Sequence, residues 1–168
     1  MNIEERLTLV AGTARNVGKT SFVEAWIKYK VKESASIIAA KFIQIKENGY
    51  QHFHHNNIET YIIIKENDSF SLKDTSRYLQ AGAQASYLVM CKQEFTDKAY
   101  KDLISRLDCN TLCIIESAAL NEIVKPKQLV VIDRPGSFIR KPYADIIKQK
   151  ADVLIEDLFT FEHWEYFD

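Results

Sequence analysis

Short apolar runs and amphipathic stripes alternate along the chain. Leu7-Thr8-Leu9-Val10-Ala11 is a run of strand formers that stops at Gly12, and beyond Gly18 the apolar positions Phe22, Val23, Trp26 and Ile27 recur at helical spacing. This predicts a strand, a glycine-bearing loop and a helix. Ser36 to Ala40 reads as a second buried strand ending at Lys41, separated from the first by that helix and so parallel to it. Asn48-Gly49 suits a two-residue hairpin turn between Ile43-Gln44-Ile45 and Tyr50-Gln51-His52-Phe53. Thr60 to Lys65 is another strand candidate, followed by a helical stretch from about Leu72 to Gln80 that ends near Gly82. Ser86 to Met90 resumes the buried-strand pattern, and Thr96 is placed to cap a helix whose stripe is Ala99, Leu103, Ile104 and Leu107.

Three later strands each end in acid. Leu112-Cys113-Ile114-Ile115 stops at Glu116, Leu129-Val130-Val131-Ile132 at Asp133, and Val153-Leu154-Ile155 at Glu156 and Asp157. The alternation of strand and helix predicts an α/β fold of three layers, a mainly parallel sheet with helices on both faces, and such sheets bind ligands beyond the carboxyl ends of their strands. The final aromatics, Phe159, Phe161, Trp164, Tyr166 and Phe167, read as an amphipathic helix or arm packed on the body, with a partner-binding arm as the alternative.

Composition narrows this picture without redirecting it. With 168 residues, 46% hydrophobic and 27% charged, the chain is expected to form a single domain over 1–168 with its own core. Its 22 basic and 23 acidic residues leave a net charge of -1, so no global field holds a nucleic-acid backbone or an anionic membrane, and any basic site must be local. Cys91, Cys109 and Cys113 form no CxxC pair. A reducing compartment is therefore favoured, and the start, which lacks a signal peptide's apolar core, makes the cytoplasm the expected location.

The strongest chemical signal is Gly12-Thr13-Ala14-Arg15-Asn16-Val17-Gly18-Lys19-Thr20-Ser21, which lies between a buried strand and an amphipathic helix, where a phosphate loop belongs. Such a loop turns consecutive backbone N–H groups inward, and the positive end of the helix adds to them. Lys19 is then expected at the β- and γ-phosphates and Thr20 on a magnesium ion bridging them. The usual pattern has four residues between its glycines, but Gly12 and Gly18 enclose five, with Thr13 at the first glycine position. No Asn-Lys-x-Asp guanine motif occurs, so GTP and ATP both remain open.

This spacing resembles the phosphate loop of dethiobiotin synthetases. More of the chain resembles the molybdopterin-guanine dinucleotide biosynthesis protein B family of P-loop NTPases: Lys41 after the second strand, Asp74-Thr75-Ser76-Arg77 with Ala81-Gly82-Ala83, and a strand ending at Glu116. The likeness extends to about residue 120. It departs at Phe42-Ile43-Gln44, where the family has histidines, and at Ser117, where it has glycine. The resemblance implies a magnesium-dependent GTP- or ATP-binding protein with slow hydrolysis, accessory to a partner enzyme or cofactor carrier in molybdenum-cofactor biosynthesis. Asp74 becomes a magnesium or substrate contact on the same ground.

Glu116 is expected to hold magnesium through a water or to orient an attacking water. Arg15 either touches phosphate in cis or reaches across a homodimer, with an exposed loop arginine as the plain alternative. Asp74 and Arg77, three apart on a helix, also suit an ordinary ion pair. His52, His54 and His55 read first as a solvated His-rich loop or a substrate-binding insertion, with a metal cluster as the lesser alternative, since no third ligand of convincing spacing follows. Two alternatives to the NTPase stand: a small-molecule synthetase or kinase that transfers the γ-phosphate, and a module that binds nucleotide without hydrolysing it.

Overall fold

The computed structural model describes residues 3–33, 35–45, 58–108, 110–136, 140–158, 161 and 163–167. The expected hairpin at Asn48-Gly49, the histidines His52, His54 and His55, Cys109 and Phe159 lie outside these residues.

The described residues form seven strands: β1 (Leu7–Gly12), β2 (Ile37–Ile45), β3 (Tyr61–Lys65), β4 (Ala85–Lys92), β5 (Leu112–Glu116), β6 (Gln128–Ile132) and β7 (Val153–Ile155). They make one sheet in the order β3-β4-β2-β5-β1-β6-β7, parallel throughout except for β3, which runs antiparallel to β4 at the edge. Among the described residues four α-helices accompany them: α1 (Lys19–Lys32), α2 (Asp74–Gln80), α3 (Thr96–Ser105) and α4 (Ala144–Lys150).

The strand pleat sorts side chains into two apolar layers. Leu7, Leu9 and Ala11 of β1, with Cys113 and Ile115 of β5, pack against Ala99, Tyr100 and Leu103 of α3 and Ile147 of α4. Val10 of β1 and Ile114 of β5 face the other way, against Phe22, Val23, Trp26 and Ile27 of α1 and Tyr78 of α2. Helices therefore cover both faces of a mainly parallel sheet, as the alternating pattern predicts.

Several boundaries differ from the sequence expectation: β4 runs on to Lys92 and α3 ends at Ser105, short of Leu107. The second strand does not stop at Lys41 but continues to Ile45, because β4 offers a full ladder of partners from Ala85 to Lys92. Thr96 is the first residue of α3 rather than its cap: a 3-10 turn at Gln93–Phe95 leads into the helix, and the Thr96 hydroxyl donates back to the Gln93 carbonyl at 2.7 Å. Among the described residues no helix is long and apolar enough to cross a membrane.

Of the terminal aromatics, Phe161, Trp164 and Phe167 pack on the α1 face, whereas Tyr166 is exposed. The fully buried Phe22 ring is stacked on Trp164 at 5.9 Å and contacts Phe167 at 5.5 Å and Phe161 at 6.4 Å. Phe22→Ala removes the common partner of all three rings, and should cost about 3–5 kcal/mol of stability in urea denaturation. A loss below about 1 kcal/mol would mean that the arm is not part of the core.

Candidate functional site

The order β2-β5-β1-β6 creates a crevice at the carboxyl ends of the central strands. The chain leaves β1 into α1 on one face, whereas it leaves β5 into the 3-10 turn Ala119–Glu122, whose Leu120 packs on the opposite layer. Adjacent strands whose connections part to opposite faces open a cleft between them, and in α/β sheets ligands sit there. The loop 13–18 occupies that position.

Its backbone conformation is unusual in the way an anion cradle requires. Asn16 has φ 56° and Gly18 φ 100°, both left-handed. Left-handed residues among right-handed ones turn successive N–H groups toward one concavity. Among the described residues, no acceptor is found for the backbone N–H groups from Asn16 to Ser21, and the first helical bond is Phe22 N–H to the Gly18 carbonyl at 2.9 Å. The helix start is also uncompensated. Gly18 stands in the cap position, where a side chain would normally accept a bond, and the first turn of α1 carries no acid.

Gly12 is the glycine this loop depends on for space. A Cβ there would lie 2.7 Å from Val17 Cγ2 and 2.9 Å from Lys19 Cδ, so the lysine stem folds back over the end of β1 only because Gly12 has no side chain. Thr13 stands at the expected first glycine position for a different reason. It is fully buried, and its hydroxyl donates to the Asp133 carboxylate just beyond β6. The extra residue between the glycines thus forms a strut from the loop to the neighbouring strand end. Asp133 also accepts from Lys148 of α4 and lies 3.7 Å from Arg140. Burial works against its charge, yet the hydrogen bonds from Lys148 and Thr13 hold its carboxyl below the usual range.

The pleat delivers the remaining groups. Glu116 has the same parity as Ile114, and Lys41 the same as Ala39, so both face the α1 and α2 layer, and the two residues are register partners across β5 and β2. Glu116 is 5% exposed; its Oε2 accepts from the Thr20 hydroxyl at 3.0 Å and the Tyr78 hydroxyl at 2.7 Å, and its Oε1 lies 3.4 Å from Lys41 Nζ. Lys41 also pairs with Asp74. Burial depresses the Lys41 ammonium, but Glu116 and Asp74 outweigh it and raise its pKa above the ordinary value. Burial and the Glu116 charge push the Tyr78 phenol well up, which keeps it a neutral donor.

Lys19 has the opposite balance. Its pKa is lowered, first by burial and further by the Lys41 charge, with Glu116 and Asp74 only partly offsetting them. Among the described residues no carboxylate lies within 4.0 Å of the Lys19 ammonium. The site therefore holds a desolvated cation beside a fan of unsatisfied N–H groups, an arrangement that an anion of several charges would satisfy.

Of the residues expected from sequence, Gly12, Thr13, Ala14, Val17, Gly18, Lys19, Thr20, Lys41, Asp74 and Glu116 belong to this loop and the charge network joined to it. Arg15 and Asn16 are exposed on the loop. Asp74 reaches Glu116 only through Lys41, and no hydrogen bond joins it to Thr20 among the described residues. The expected pairing of Asp74 with Arg77 is present at 3.6 Å, but the main partner of Arg77 is Glu24 of α1, bound through two hydrogen bonds of 2.9 and 2.8 Å. Cys113 is a core thiol, pushed up to about 12 by burial.

Tyr78, Asp133 and Lys141 were not singled out as site residues by their sequence context. Tyr78 reads as an ordinary apolar stripe residue, and Asp133 as one strand-end acid among several. Lys141 follows a loop with no motif of its own.

For a divalent ion, the Thr20 hydroxyl and Glu116 carboxylate offer hard oxygens 3.0 Å apart, which suits magnesium, an ion that usually takes one or two protein oxygens and completes its shell with phosphate and water. No cluster of three or more His, Cys, Asp or Glu side chains able to hold a metal alone occurs among the described residues. The chain matches no family model, curated protein or solved structure in the comparisons made.

Proposed function

We propose that the chain is a P-loop protein that binds a magnesium–nucleoside triphosphate and hydrolyses it slowly. The observation that carries this reading is the run of N–H groups from Asn16 to Ser21 that find no acceptor among the described residues, directly beside the partly desolvated Lys19, which has no carboxylate within 4.0 Å among them. Unsatisfied donors and a partly desolvated charge are costly to keep, and a bound polyphosphate satisfies both at once.

In this reading the loop amides and Lys19 bind and orient the β- and γ-phosphates, and Thr20 with Glu116 holds magnesium, which when bound neutralises developing charge on the phosphoryl oxygens. Glu116 also orients the attacking water on the γ-phosphate side. Tyr78 and Lys41 fix the two carboxylate oxygens of Glu116, so that this group is presented in one geometry.

An accessory role beside a partner enzyme or cofactor carrier follows the resemblance to molybdopterin-guanine dinucleotide biosynthesis protein B. It is supported by Phe70 and Leu72, each 93% exposed on the segment leading into α2, the helix that carries Tyr78 and Asp74. Phosphate release from ATP or GTP is the test. Magnesium-dependent release without any added metabolite is expected; turnover only with a specific acceptor would favour the synthetase or kinase alternative. Tight nucleotide binding with no multiple turnover would leave a binding module.

A further inference from the structure

Lys141 lies beyond the loop sequence but reaches the same place. After β6 the chain returns at Arg140 and Lys141 to dock on the loop: Arg140 bridges antiparallel to Ala14, and the Lys141 N–H donates to the Thr13 carbonyl at 2.8 Å. This backbone anchor, with the Thr13–Asp133 strut beside it, holds the segment against the cradle.

The side chain carries the second observation. Lys141 is half-buried, and the charges that act on it are those of the site: Lys19 and Arg15, which repel it, and Glu116, which attracts it. Among the described residues no carboxylate lies within 4.0 Å of its ammonium, which sits over the Tyr143 ring, 5.5 Å from the centroid. Burial and the Lys19 charge bring it down to about 8, from the ordinary 10.5. The chain has 23 acidic residues, yet among the described residues neither Lys19 in the loop nor Lys141 in the segment docked on it has a carboxylate within 4.0 Å, and the two charges repel each other. Desolvated like charges that repel are retained at a cost, and a polyanion between them reverses the sign of that cost.

We infer that Lys141 is a second phosphate-binding lysine, which grips the same polyphosphate as Lys19 from the segment docked on the loop. This rests on the nucleotide-binding reading above and adds a ligand-contacting residue from outside the loop motif. With Lys141 added, the cations Lys19, Lys41, Lys141 and Arg15 outnumber the carboxylates Glu116 and Asp74, an excess that favours a highly charged triphosphate over a monophosphate.

The test is calorimetric titration of the full chain with magnesium–ATP, magnesium–GTP and inorganic tripolyphosphate, for the wild type, Lys141→Ala and Lys141→Arg, with melting curves of each protein free and bound. Lys141→Ala should weaken binding by about ten- to hundredfold, and Lys141→Arg should recover most of that loss. The ligand-free alanine variant should melt no lower than the wild type, because it loses a penalised charge rather than a contact.

The pH profile with nucleotide adds a readout that a structural lysine would not move. The ligand-free pKa of about 8 lies below 10.5, so above pH 8 the bound anion must draw a proton onto Lys141. Affinity therefore falls as pH rises from 8 toward 10.5. Arginine keeps its charge and removes the Lys141 part of that fall, leaving the contribution of Lys19. If the wild type binds all three ligands and Lys141→Ala binds them equally well, the inference fails and the nucleotide reading survives. A ligand-free Lys141→Ala protein that melts well below the wild type also overturns it, assigning Lys141 to packing on Tyr143. Absence of wild-type binding to all three ligands removes both readings.

Discussion

Lys19→Ala should weaken nucleotide binding severely while leaving the fold intact. The ammonium has no carboxylate partner among the described residues and is already depressed by burial, so its removal breaks no ion pair and relieves a desolvation cost. The ligand, by contrast, loses a charge-assisted contact to two phosphates, each worth about 1.5–3 kcal/mol, so affinity for ATP or GTP should fall by at least about a hundredfold. Melting temperature of the ligand-free variant should match or exceed that of the wild type. A variant that melts normally and still binds with wild-type affinity would remove Lys19 from the site. Thr20→Ala makes the complementary case: nucleotide still meets the loop amides, but the magnesium dependence of its affinity disappears.

Glu116→Gln has the second large effect, and it falls on turnover rather than binding. The amide keeps an acceptor for the Tyr78 and Thr20 hydroxyls, which bond the carboxylate at 2.7 and 3.0 Å, while Lys41 keeps Asp74 as its partner. The fold should therefore survive the change. What is lost is the negative charge that orients the attacking water and helps hold magnesium, and hydrolysis should drop by about 10²–10⁴-fold in a single-turnover assay. Glu116→Ala is the less informative variant, because it strands the buried Tyr78 hydroxyl and leaves Lys41 less compensated. Unchanged hydrolysis by the glutamine variant would place the catalytic carboxylate elsewhere.

The parts of this site legible in the sequence are those set by local periodicity. Gly12 and Gly18 punctuate a strand–loop–helix pattern, and Glu116 stops an apolar run, so strand direction alone carries both to one edge of the sheet. Lys41 was legible for a partly mistaken reason. Its strand does not end there, and the residue reaches the site because the β2–β5 register sets it level with Glu116. Register between strands far apart in sequence is a tertiary property, and no local pattern encodes it.

The same limit hid the residues that complete the site. Thr13 stands where a glycine is usual because its hydroxyl meets Asp133, 120 positions away. Tyr78 looks like a core ring until its hydroxyl is seen on Glu116, and Lys141 looks like any loop lysine until the chain returns to Thr13. A signal was available only for Asp133, a strand-end acid on the ligand-binding edge, and even there its strut role depends on the β1–β6 pairing.

The central claim is that the backbone from Asn16 to Ser21 is a phosphate cradle, and amide chemical shifts observe that backbone directly. In a ¹⁵N–¹H titration with magnesium–ATP and magnesium–GTP, the amide resonances of residues 16–21 should show the largest displacements in the protein, moving downfield as their protons acquire phosphate acceptors. Resonances in that stretch that stay in place at millimolar nucleotide, while the fold is intact, would contradict the account.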